Sequence, residues 1–188
     1  IGMGLNLKPG DFGVSWLPLY HDMGLIGSWL TALCFGVPIA ILSPLSFLSR
    51  PERWLWAIHE HRGTVSAAPN FAYELCARKI DERALEGLDL SCWRVALNGA
   101  EPISPDTLER FSRRFEPYGF RAETFLPVYG LAECSVALTF PALGRKPRVD
   151  HIERDRFENT GTAKRCPEST ASPLRFVSEG KALPGHEV

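Results

Sequence analysis

The 188 residues predict an α/β fold, a mostly parallel sheet covered by helices. Short apolar runs alternate with amphipathic stretches at helical spacing, and Gly, Pro and Ser punctuate the joins, as in repeated strand, connector and helix units. A chain of this length also has room for one domain with a substantial core. With 45% apolar residues, 23% charged residues and a net charge of -1, the composition is that of an ordinary soluble globular protein. There is no basic excess to hold nucleic acid or anionic lipid.

Val14 to Leu17 is an apolar run that ends at Pro18, and Met23 to Phe35 is a longer one closed by Gly36, a residue that accepts a left-handed helix end. Strand, loop and buried helix follow from these. Val37 to Leu42 gives a second strand, and after a Ser-Pro turn Pro51 opens the helix PERWLWAIHEHR. Thr64 to Ala67 gives a third strand, with Asn70 placed to cap the helix FAYELCARKI. Arg94 to Leu97 gives a fourth. Ser104-Pro105-Asp106 then starts a helix whose Leu108, Phe111 and Phe115 share one face, and Gly119 ends it. From Arg145 the chain turns polar, rich in Pro, Ser, Thr and charge, with little sustained periodicity. The expected division is therefore an α/β unit over 1-144, followed by an insertion-like segment and the start of a strand region over 145-188.

In a parallel sheet, ligands settle at the carboxyl ends of strands, and three loops there carry unusual residues. LPLYHDMGLIG (17-27) sets His21 and Asp22 at a helix start, where an imidazole can meet an anionic ligand or simply cap and pack. LNGAEPIS (97-104) leaves a strand with almost no side-chain bulk. Its backbone can approach a planar ligand, or the loop can be a plain tight turn. VYGLAE (128-133) offers an aromatic face at Tyr129, a flexible Gly130 and a Glu133 carboxylate suited to Mg²⁺, or else a core ring and a solvated acid.

Together with SAAPNFAYEL, these loops resemble, in order and approximate spacing, the motifs of the superfamily of acyl-CoA synthetases, peptide-synthetase adenylation domains and luciferases. The YHDMGLIG, PNFAYELC and YGLAE spellings are most similar to its fatty acyl-AMP ligase branch. EGKALPGHEV resembles the stretch after that branch's insertion.

The resemblance implies a subdomain of the large N-terminal domain of these enzymes, with ATP and Mg as cofactors. His21 would position the acyl carboxylate against the α-phosphate. Gly99 and Ala100 would line the adenine, Asn98 or Glu101 would touch its edge, and Tyr129 would stack on the ring, with Gly130, Leu131 and Ala132 completing that wall. Glu133 would hold Mg. Ala132 stands where many relatives have Thr, so a phosphate-contacting hydroxyl is absent, a change this branch accepts. Met23 to Ile26 (with Gly24) and the Pro69-Asn70-Phe71 loop would line an apolar acyl tunnel. The segment from Arg145 to Phe176 corresponds to the insertion that disfavours thioester formation with coenzyme A. The implied product is acyl-AMP, passed to an acyl carrier protein or a carrier domain of a polyketide or peptide synthase.

The same resemblance implies parts that are not in this sequence: a phosphate loop with its Lys, a later Asp motif for the ribose and a C-terminal domain with a catalytic Lys. Ile at position 1 and the ending LPGHEV lead us to expect an internal piece, inactive alone. An acyl-CoA synthetase or amino-acid adenylation domain is a competing expectation, and a non-catalytic nucleotide or acyl-lipid binding module is another.

The five cysteines (Cys34, Cys76, Cys92, Cys134, Cys166) show no paired spacing and suggest a reduced, cytoplasmic setting. No apolar window reaches the roughly 18 residues of a membrane span, so stable membrane insertion is not expected. His59 and His61 point to different sides of a helix and do not form a zinc pair. Trp54 and Trp56 read as packing residues, and Arg110, Arg113 and Arg114 as a wet helix face. Cys134 lacks a base in its local sequence and is not read as a nucleophile.

Overall fold

The computed structural model describes residues 1–188. β1 (Gly13–Ser15) leads through a loop into a wide π-helical turn, Met23–Leu30, which runs directly into α1 (Thr31–Phe35). Then follow β2 (Ile39–Ile41), α2 (Pro44–Ser49), α3 (Glu52–Glu60), β3 (Val65–Ala68), α4 (Asn70–Lys79), β4 (Val95–Asn98), α5 (Pro105–Phe115) and β5 (Phe125–Pro127). These five strands form one parallel sheet in the order β2-β1-β3-β4-β5. The α/β expectation is borne out.

The strand order places the first crossover to one side of β1 and all later ones to the other, so the chain reverses direction across the sheet between β1 and β3. That reversal opens a crevice at the strand carboxyl ends. The register keeps those ends level, because Ala68 pairs with Asn98 and Asn98 with Pro127.

Side-chain alternation divides the sheet into two unlike faces. Ser66, Ala96 and Phe125 are register partners and face α3, α4 and α5. There Trp54, Tyr73, Trp93, Phe111, Phe120 and Phe125, all essentially fully buried, meet edge to face with ring centroids mostly 5.0–5.6 Å apart. Their polar tips are satisfied: Trp54 Nε1 donates to Ser66 Oγ at 2.9 Å, and Tyr73 OH to the Leu97 carbonyl at 2.7 Å. Ala67, Leu97 and Leu126 are partners on the opposite face, toward Met23–Leu30.

Local signals explain most boundaries. Gly36 ends α1 at φ 63°, and the Ser104 hydroxyl accepts from the Thr107 amide to cap α5. Three elements differ from the sequence-based expectation. The Ser-Pro turn before α3 is a full helix, α2, with Pro44 in its first turn. Asn70 is the first residue of α4 rather than its cap: Pro69 takes the cap position, and the Asn70 carboxamide accepts from the Ser104 amide at 3.2 Å. The polar 145-188 stretch contains an antiparallel pair, β7 (Val149–Ile152) with β8 (Leu174–Val177), and a short helix α6 (Arg154–Thr160). The strands β6 (Thr139–Phe140) and β9 (Lys181–Ala182) form a second small pair.

Phe111 touches Tyr73, Trp93, Phe115, Phe120 and Phe125 at once. Phe111→Ala should therefore cost about 3–5 kcal/mol in urea unfolding of this chain, with the m-value little changed.

Candidate functional site

The carboxyl ends of β1, β3, β4 and β5 deliver the three loops to one rim. After β1, His21 lies at the start of the π-helical turn. Its Nδ1 sits 2.8 Å from Asp22 Oδ1 and 3.2 Å from the Met23 amide, while Asp22 Oδ1 accepts from that same amide at 2.8 Å. Both readings of His21 thus meet in one residue. Nδ1 is tied to the helix start, and Nε2 has no protein partner on a half-exposed ring.

Gly24 is demanded by close packing, since a Cβ there would lie 2.3 Å from the Pro18 carbonyl oxygen. The turn that follows is wider than an α-helix: the Thr31 amide reaches back five residues to the Ile26 carbonyl. The Ser28 and Thr31 hydroxyls also bond carbonyls five residues back. Such wide turns recur at functional sites.

After β4 the chain turns at Gly99 and Ala100. A Cβ on Gly99 would meet the Val128 carbonyl oxygen at 2.6 Å, so the NGAE loop lies directly on the strand that leads into YGLAE. Ala100 sits at φ 68°, in the left-handed region. Asn98 is fully buried and turned to the aromatic face, where its Nδ2 lies 3.4 Å from Asn70 Oδ1 and its own Oδ1 has no partner. Asn70 therefore engages the NGAEP loop from below. Glu101 accepts from the Phe71 amide at 2.5 Å, and the Phe71 ring is about half exposed beside Trp16.

The third loop is closed at its neck. Tyr129 and Thr139 exchange backbone hydrogen bonds of 3.3 and 3.0 Å, and the Thr139 hydroxyl donates to the Glu179 carbonyl at 2.7 Å. Inside this neck Gly130 lies against the Val136 carbonyl, and Ser135 and Val136 both have positive φ, 55° and 73°. A β-branched residue in that region is strained, and strain of this kind collects at ligand sites. The loop leaves the Tyr129 ring 45% exposed and sets Glu133 in the open on a single tight turn, Ala132–Cys134, with Leu131 leading in.

Between these loops lies an apolar cleft lined by Asp22, Met23, Ala100, Gly130 and Val136, with Gly27, Ala67 and Leu97 deeper in. It joins the His21, NGAE and YGLAE loops into one site. Asn70 and Phe71 lie outside this cleft. Val136, Gly27 and Leu97 carry no local motif, and their place here comes only from the topology. The Tyr129 side chain is exposed beside the NGAE turn, and Glu133 is an unencumbered oxygen donor, so the residues fit a planar heterocycle and a hard cation.

Residues 2–168 match the family described as AMP-binding enzyme. The chain is 45% identical over 161 residues to a protein named as a fatty-acid–CoA ligase, FadD21 of Mycobacterium tuberculosis, covering 86% of this chain and 28% of the relative. It is 39% identical over 179 residues to the medium-chain-fatty-acid–[acyl-carrier-protein] ligase JamA of Moorena producens, with 95% and 30% covered. Among solved structures, one from work on fatty acyl-adenylate ligases of E. coli and L. pneumophila superposes with TM-score 0.93 at 46% identity, covering 97% of this chain and 33% of that one. The fatty acyl-adenylate ligase of L. pneumophila in complex with acyl adenylate and pyrophosphate superposes with TM-score 0.92 at 38% identity, covering 96% and 32%. The chain spans about a third of the length of these relatives.

A Cβ on Gly130 would sit 1.6 Å from the Val136 oxygen. Gly130→Ala should destabilise the chain by about 1–3 kcal/mol. It should also speed amide exchange at Tyr129 and Thr139 while the β3 and β4 amides stay protected, as read by NMR.

Proposed function

The chain belongs to the AMP-binding enzyme family, and within it we propose that it forms the central part of a fatty acyl-AMP ligase. The single observation that carries this reading is the convergence of Asp22 and Met23 beside His21, Ala100 of the NGAE turn and Gly130 of the YGLAE loop on one apolar cleft. In the proposed reaction a carboxylate oxygen of a fatty acid attacks the α-phosphorus of ATP. The P–O bond to pyrophosphate breaks, and a mixed acyl-phosphate anhydride is left. Such a transfer depends on positioning and charge stabilisation more than on covalent work by the protein.

His21 would supply that positioning. With Nδ1 accepting from the Met23 amide, the ring proton sits on Nε2, which can donate to a carboxylate or phosphate oxygen at the rim. Tyr129 would stack on the adenine, and the Gly99–Ala100 backbone would meet its edge. Asn98, being buried, would brace that backbone through Asn70, while Leu131 and Ala132 would shape the phosphate side. Glu133 would hold Mg²⁺, which would neutralise charge on the phosphates.

The acceptor separates an acyl-AMP ligase from an acyl-CoA synthetase, and relatives of both names match this chain. We propose that this one, whose five unpaired cysteines suit a reduced, cytoplasmic setting, belongs with the carrier-protein ligases because of the 145-188 segment. Its β7, α6 and β8 unit is fastened to α5 by Arg175, which pairs with Asp106 and with Glu109, the latter at 3.1 Å. A unit docked this way suits an insertion that restrains a mobile neighbour. The exposed Trp29, Leu33, Phe35, Leu45 and Leu48 near the β2 edge suit burial under the remaining two thirds of such an enzyme.

Two outcomes are expected in the longer protein that carries this chain. Glu133→Ala should lower Mg-ATP-dependent acyl-AMP formation by at least about 100-fold, on the scale of losing one transition-state charge contact, with the melting temperature little changed. An unchanged rate would remove Glu133 from the site. Deleting residues 149–176 should raise acyl-CoA formation, since Arg148 and Ser178 already share a 2.9 Å backbone hydrogen bond across the neck. A folded deletion with no added thioester would count against the insertion.

A further inference from the structure

We propose that Gly27 sets the length of acyl chain the site accepts, an inference that rests on the fatty-acid reading above and extends it. Behind the wide helical turn, next to the cleft at the strand ends, there is further apolar space. A second, small cavity lies between that turn and the opposite face of the sheet, reaching Leu5, Leu7, Val37, Ile39 and Val65. The two cavities share three lining residues, Gly27 from the turn, Ala67 from β3 and Leu97 from β4. Those residues form the waist between an outer compartment at the rim and an inner one under the helix.

Two glycines in this turn have opposite reasons to be there. A Cβ on Gly24 would collide with the Pro18 carbonyl oxygen at 2.3 Å, so backbone packing alone requires glycine. A Cβ on Gly27 would meet nothing closer than Met23 Cγ at 3.7 Å and Val136 Cγ1 at 3.8 Å, which is ordinary contact. Gly27 has a negative φ as well, so no turn geometry asks for it. A helix interior without need of glycine loses about 1 kcal/mol by having one. What the missing side chain leaves is the opening between Met23 and Val136, both of which line the outer compartment.

The chemistry of the inner cavity fixes what passes through. Its walls are aliphatic, with only the Ser28 and Thr31 hydroxyls as polar side chains, and those donate to the Met23 and Ile26 carbonyls. No charged residue lines it. An α-ammonium or a phosphate there would be desolvated without a partner, whereas a hydrocarbon tail would not. The polar head of the substrate therefore stays at the rim by Asp22 and Ala100, and its tail runs inward past Gly27. Acids short enough to end in the outer compartment do not meet the waist.

The test is the ratio of kcat/KM for palmitate to that for hexanoate, measured as acyl-AMP formation by the longer protein that carries this chain. Gly27→Phe should lower the ratio at least about 10-fold, since excluding even one methylene from an apolar pocket is worth about 10- to 200-fold. Gly27→Ala should lower it less. If Gly27→Phe does not fold, Gly27→Val carries the same comparison with a smaller side chain. A ratio that does not move, or an equal loss on both acids, overturns the assignment of Gly27. Failure of the unsubstituted protein to adenylate any fatty acid would instead overturn the fatty-acid reading itself, so the two failures are distinguishable.

Discussion

The site depends first on the parallel register of β3, β4 and β5. With Ala68 opposite Asn98 and Asn98 opposite Pro127, the three strands end at one level, and the Val128 amide extends the ladder by donating to the Asn98 carbonyl at 2.8 Å. A slip of one residue would exchange the two faces of a strand. It would turn Leu97 toward α4 and Asn98 toward the cleft, burying a carboxamide where an apolar wall now stands. The aromatic cluster guards against that slip, because Tyr73 bonds the Leu97 carbonyl and Phe125 is wedged among the Tyr73, Phe111 and Phe120 rings.

Much of this was legible in the sequence, for reasons that can be stated residue by residue. α5 announces itself by a Ser cap, a Pro in the first turn and three aromatic or aliphatic residues at helical spacing, all local signals. The loops announce themselves by residue types with little other use together, His-Asp, Asn-Gly-Ala and Tyr-Gly. What was not legible is what distant contacts decide. The wide turn at Met23–Leu30 looks like any apolar helix in one dimension. Its Ser28 and Thr31 hydroxyls bond carbonyls five residues back, and Gly24 lies against Pro18, a contact between positions the hydrophobic pattern does not register. Asn70 looked like a cap, yet its partners come from β4 and α5. The hairpin of β7 and β8 was hidden because half-exposed strands rich in charge carry almost no hydrophobic period.

The YGLAE loop shows how local strain is held in place. Val136 at positive φ would relax if the loop were free, but the Tyr129–Thr139 bridge closes both ends and Gly130 lets the returning backbone lie in contact. Because the Thr139 hydroxyl also bonds the Glu179 carbonyl, the neck of this loop is joined to the chain returning from the 145-188 segment. A docked or displaced segment can thus be felt at Tyr129 through one hydrogen bond and the short β6–β9 ladder.

The two faces of the sheet divide the labour between rigidity and room. On one, bulky rings are packed without gaps, and removing any of them leaves a cavity that nothing fills. On the other, the corresponding positions are Ala67 and Leu97, the covering helix is wide and glycine-bearing, and the space between remains partly empty. Empty apolar volume forfeits dispersion contacts and so costs stability. A sheet with a uniform core would be more stable than this one. The asymmetry makes sense if the missing contacts are supplied by a flexible hydrocarbon, while the opposite face keeps the strand ends fixed for the polar head.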